Sequence, residues 1–108
     1  LIAQDDTEFQ FLGVLTLVEK YKTAPWTEKE MAVVDKHFQR LLDENEKGKV
    51  VFAGRTQYDN SHPDLMGLVV FYAKDLEAAV KYMNDDPSVK AKIMEAKVHP
   101  YAIAIGKQ

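Results

Sequence analysis

The sequence predicts an α+β fold, a four-stranded antiparallel sheet with its helices on one face. Three observations lead there. Apolar runs of strand length alternate with helical patterns in the order strand, helix, strand, strand, helix, strand. The run Phe9 to Val18 is apolar on both faces, with Phe9, Phe11, Leu15 and Leu17 pointing one way and Leu12, Val14 and Val18 the other. The run Gly67 to Ala73 behaves alike, with Leu68, Val70 and Tyr72 opposed to Val69, Phe71 and Ala73. A half-solvated strand alternates apolar and polar residues, so these two belong at the centre of a sheet covered on both sides.

The elements follow in chain order. Residues 1–8 are polar and read as a flexible N-terminal segment, with residues 9–108 forming one domain; 108 residues suit one compact unit. The first strand ends near Tyr21, and a loop containing Pro25 follows. Thr27 and Glu30 have the spacing of a capping box, and Trp26 and Met31 that of a hydrophobic staple. The helix they start carries an inward stripe of Met31, Val34, Phe38, Leu41 and Leu42. Gly48 stops it. At 1.5 Å per residue it makes a rod of roughly 30 Å. A second strand runs Val50 to Gln57, and Asn60-Ser61-His62-Pro63-Asp64 supplies turn chemistry before the third. Asp75 caps the next helix, with Leu76, Ala79, Val80 and Met83 facing inward. Asn84-Asp85-Asp86-Pro87 interrupts it, a short turn follows from Pro87 to Lys92, and the last strand covers Glu95 to Ile105.

Right-handed crossovers put both helices on one face of this sheet, the ferredoxin-like βαββαβ arrangement. The first and third strands are then central, and they are the two with apolar residues on both sides. The helix-free face needs a cover, and the simplest is a second copy packed sheet to sheet as a two-fold homodimer.

Composition narrows the function classes. The net charge is −3, the pI is near 5.6, and basic residues are scattered among acidic ones, which argues against nucleic acid or a polybasic membrane contact. No apolar run reaches the length of a membrane span. The absence of cysteine removes disulfides, thiol nucleophiles and thiolate metal sites. Leu1-Ile2-Ala3 before Gln4-Asp5-Asp6 reads equally as the tail of a signal peptide or as an arbitrary start, so cytoplasm and export both stay open.

Few residues offer chemistry. Asp86 before Pro87 has the pattern of a helix N-cap, and a carboxylate fixed by capping is also a fixed orienter for an imidazole. His37 flanks the apolar stripe of the first helix, where a general base or acid titrating near neutrality would face a cleft. Arg55 carries a planar fork suited to an anionic or phenolate substrate, and Tyr58 and Asp59 line the same mouth. His62 reads as a turn residue and His99 as a packing residue. The three histidines have no short metal-ligand spacing, so no metal is expected. Ser61 and Ser88 lie in no nucleophile-elbow pattern, and no phosphate-cradling or dinucleotide glycine motif is present, so no cofactor is expected either. Gly67 to Tyr72 faintly echoes an RNA-recognition strand, but Met66 and Leu68 stand where a basic residue and a stacking aromatic belong.

Asp86-Pro87-Ser88-Val89-Lys90-Ala91 and then Val98-His99-Pro100-Tyr101 resemble the end of YCII-related (YciI-like) domains. His37 and Ala53-Gly54 fall where that family carries its histidine and its Ala-Gly-Pro turn. The resemblance spans Phe9 to Tyr101. It implies a ferredoxin-like fold that dimerises into an α+β barrel and a proposed active-site pair, here His37 and Asp86. A related enzyme removes chloride from a chlorinated hydroquinone. This chain departs from the pattern at Arg55, in place of the proline, and at Ser88 and Lys92, in place of an aromatic residue and a glycine often found after Asp-Pro. The function expected is cofactor-free proton transfer of lyase or isomerase type on a small molecule, with a non-catalytic ligand-binding or regulatory dimer as the alternative.

Overall fold

The computed structural model describes residues 7–107. Most of the segment expected to be loose, residues 1–8, lies outside these. The strands are β1 (Phe9–Leu17), β2 (Val50–Arg55), β3 (Gly67–Ala73) and β4 (Met94–Pro100). The helices are α1 (Lys20–Thr23), α2 (Glu28–Glu46), α3 (Leu76–Asn84) and α4 (Pro87–Lys90). The sheet is antiparallel in the order β2-β3-β1-β4, so β1 and β3 are central as the two-faced runs require. This is the ferredoxin-like arrangement.

Register separates the two faces. Phe11 lies opposite Phe71 and Leu15 opposite Gly67 on β1 and β3. Phe11, Leu15, Val69, Phe71 and Ala73 are buried under the helices with Ala79 and Met83 of α3. The Phe11 and Phe71 rings are 6.2 Å apart, and Phe71 lies 4.8 Å from Tyr82. Burying a side chain such as Phe71 fully is worth about 1.5–3 kcal/mol. The helix-free face presents Leu12, Val14, Leu68 and Tyr72 around a buried Val70, flanked by Phe52 and by the polar Glu95, Lys97 and His99 of edge strand β4.

Helix α3 sits tightly on β1 because residue 13 is glycine. A Cβ there would stand 2.6 Å from the Met83 methyl carbon and 2.7 Å from its sulfur. The inward face of α3 is Ala78, Ala79, Tyr82 and Met83, whereas Leu76 and Val80 are exposed. The stripe expected with Leu76 and Val80 is therefore rotated. Asp75 caps α3 by accepting from the Ala78 N–H at 2.8 Å.

Other boundaries also differ from expectation. β1 ends at Leu17, because the backbone turns into α1, where Tyr21 N–H donates to Val18 O. β2 stops at Arg55 and β4 at Pro100, earlier than the runs to Gln57 and Ile105 suggest. In β4, Pro100 brings no N–H to the ladder, and one last bond, from Tyr101 N–H to Gln10 O at 3.2 Å, follows it.

The larger difference lies in α2. Thr27 donates its N–H to Glu30 Oε1 at 2.7 Å and its side chain receives the Glu30 N–H, as the capping pattern requires; its hydroxyl also donates to Glu30 Oε1 at 2.6 Å, and Gly48 takes φ +88° just past the end. Yet none of its 19 residues is fully buried. Met31, Phe38 and Leu42 of the expected inward stripe are exposed. Only Leu41 of the stripe packs against the core; with Val34, Phe38 and Leu42 it walls a groove. Trp26 is turned toward α1, donating Nε1–H to Tyr21 O at 3.0 Å.

Candidate functional site

The end of α3 and the start of α4 place Asp86. Its backbone is extended, Pro87 opens α4, and its Oδ1 accepts the Ser88 N–H at 2.9 Å. The capping role and the site role fall on one carboxylate, which is 1% exposed. Across the interface of α2 with α4, His37 Nδ1 lies 2.8 Å from Asp86 Oδ1 and 2.7 Å from Oδ2. An ionised carboxylate only accepts hydrogen bonds, so Nδ1 is the donor toward Asp86, and in the neutral ring Nε2 is then the nitrogen free to accept. The His37 ring is largely shielded and lines the groove under α2.

Two residues not singled out by sequence complete the surroundings of Asp86. Arg40 lies one turn after His37 on α2, so helical spacing brings it to the same face. Its Nη1 is 3.6 Å from Asp86 Oδ2, and its Nη2 donates to Tyr82 O at 2.8 Å. Tyr82 is the second. The Arg40 guanidinium lies 4.2 Å from its ring centre and the Lys49 ammonium 4.7 Å from it. Lys49 also donates to Tyr72 O at 2.8 Å. Burial pushes the Tyr82 phenol up to about 12, with Arg40 opposing and Glu44 and Asp86 adding to the rise. The spacing of His37 and Arg40 signalled half of this cluster. Nothing in the sequence signalled that Tyr82 would accept two cations.

The groove has a volume of about 740 Å³, within the range of small-molecule sites. Apolar side chains of α2, β1, β2 and β3 make most of its wall, and Trp26 and Met94 contribute at its margin. Arg55 lines it with His37. Tyr58 and Asp59 do not. They line an adjacent shallow hollow that Arg55 shares, where the Tyr58 ring stacks on His62 with centres 3.8 Å apart. His62 also holds the turn by accepting the Asp64 N–H at Nδ1, as its turn reading implied. Among the described residues, no three histidine or carboxylate side chains gather as metal ligands, and no helix is long and apolar enough to cross a membrane.

No curated protein matches the chain. The YCII-related domain does match, over residues 13–101. That span takes in β2, β3, β4, most of β1, and both His37 and Asp86. With the sheet order and the Asp-Pro turn described above, it settles the affiliation: the chain belongs to the YCII-related domain family.

Proposed function

We propose that this protein is a small-molecule enzyme that moves a proton through His37, oriented by Asp86, in lyase- or isomerase-type chemistry that calls on no cofactor. The observation that carries this reading is the contact of both Asp86 oxygens with His37 Nδ1. It fixes the tautomer and leaves Nε2 as the acceptor. A substrate in the groove would give up a proton from carbon or oxygen to Nε2. The imidazolium so formed would be stabilised by the Asp86 anion beside it. Return of that proton to another atom completes an isomerisation; departure of a leaving group with the electron pair completes an elimination. Arg55 stands in the groove wall to receive an anionic substrate, and Tyr58 and Asp59 form the outer approach beside it.

The test is turnover by a set of acidic small molecules, followed by His37→Gln. Loss of turnover with an unchanged melting curve supports the assignment; retained turnover on the same substrate removes His37 from the chemistry.

The working unit in this reading is a homodimer closed over the helix-free face. Leu12, Val14, Leu68 and Tyr72 are part-buried on the helix-free side of the central strands and form a largely apolar surface, the kind a partner covers. Val14→Arg should convert a sedimenting dimer into a monomer. A wild-type monomer at micromolar concentration would end this part of the reading.

A ligand-binding dimer without turnover is the alternative, favoured by the groove wall being apolar over most of its area. Thermal stabilisation by a compound that is recovered unconverted would select it.

A further inference from the structure

His37 and Arg55 are the basic groups in an otherwise mostly apolar groove. Asn45 Nδ2 donates to Val50 O at 2.9 Å and to Val51 O at 3.3 Å, tying the end of α2 to the start of β2. From that tie β2 returns beneath α2. His37 lies about 12 Å back along the helix and Arg55 about 16 Å along the strand. Arg55 is level with Gly67 and Leu15 across the sheet. His37 and Arg55 thus stand away from the Asn45 tie, and Leu41, Leu42 and Val50 lie toward it.

Charge selects the head group. Acidic residues outnumber Lys and Arg by 17 to 14 in the chain, yet among the described residues no Asp or Glu lines this groove. Arg55 makes no ion pair among the described residues. One unpaired guanidinium in an apolar trough matches one negative charge on an apolar body.

We propose that the groove binds an amphiphilic monoanion, a carboxylate whose head meets Arg55 and whose apolar tail lies along α2 toward Leu42 and Val50. This ligand class presupposes that the groove is where His37 meets its substrate. It adds that the reacting atoms lie near the charged head, because His37 stands at that end.

Trp26 is the only tryptophan and lines the groove, so intrinsic fluorescence reads occupancy, with titration calorimetry as a second measure. Decanoate, decanol, acetate and decyl phosphate serve as probes below their aggregation limits. Decanoate should bind tightest, acetate hardly at all. Arg55→Ala should weaken decanoate about ten-fold, as loss of a hydrogen bond to a charged group does, and leave decanol unchanged. Leu42→Asp should weaken both. Equal binding of decanol and decanoate, tighter binding of decyl phosphate, or an Arg55→Ala protein with undiminished decanoate affinity would each overturn the assignment. Binding is read without turnover, so such a failure leaves the His37 chemistry to its own test.

Discussion

Both carboxylate oxygens of Asp86 converge on Nδ1 of His37, at 2.8 and 2.7 Å, while Oδ1 also caps α4 through the Ser88 N–H. One buried side chain therefore serves a helix end and an imidazole. Asp86→Ala should cost about 2–4 kcal/mol, the sum of a lost cap and a lost buried charge-assisted bond. Asp86→Asn should cost less, since its amide oxygen still caps. Urea denaturation gives both values. Nitrogen-15 NMR of His37 should place the proton on Nδ1 in the wild type and divide it between the two nitrogens in Asp86→Ala. An unchanged tautomer would show that Asp86 does not orient the ring.

Arg40 stands 3.6 Å from the same carboxylate, and its guanidinium is held on Tyr82. A double-mutant cycle with Arg40→Gln and Asp86→Asn should give a coupling of about 1 kcal/mol or more, in the range of contacting charged groups. Arg40→Lys should recover only part of it, because an ammonium cannot both stack on Tyr82 and reach its carbonyl oxygen. Additive single-mutant effects would mean that Arg40 packs against Tyr82 and is indifferent to Asp86.

Tyr82 supplies a pH signature. Its phenol is held near 12 in the folded chain against 10 when exposed, chiefly by burial. Between those values the unfolded chain has lost this proton and the folded chain keeps it. Stability from this group is complete below pH 10 and is lost as pH rises toward 12. Tyr82→Phe should flatten the fall in melting temperature across that window. An identical alkaline profile for the two proteins would assign the loss to other groups.

Lys92 has φ +60°, a conformation that favours glycine. It follows α4 in the geometry of a Schellman cap. Lys92 N–H donates to Val89 O and Ile93 N–H to Ser88 O, both at 3.0 Å, and Ile93 is buried. Lys92→Gly should stabilise the protein by up to about 1 kcal/mol, through relief of the left-handed conformation. A loss of stability would mean that the lysine stem contributes more than its backbone costs.

Sheet order and the central placement of β1 and β3 were legible because period-two patterning records which faces are covered. The Asp86 cap was legible because Asp-Pro fixes both backbone and donor. The meeting of His37 with Asp86 followed from the family resemblance and not from spacing, since 49 residues separate them. The seating of α2 was misread for a physical reason. Helical periodicity reports which side of a helix is apolar and not what that side touches, so Met31, Phe38 and Leu42 look the same over a core or over a groove. Tyr58 and Asp59 were placed at the groove mouth from nearness to Arg55 in sequence, but the turn between Arg55 and Tyr58 carries them into the neighbouring hollow.

A long helix with no fully buried residue is secured by Leu41 on the core, by Arg40 on Tyr82, by the tie at Asn45 and by the pair of side chains that also forms the candidate site. Its amides should exchange with deuterium faster than those of β1 and β3, although it is the longest element in the fold. A guest lying beneath it would supply the packing that the sheet withholds. Occupancy would then register as slower exchange and a higher melting point along the whole helix, so that binding finishes the folding of the domain.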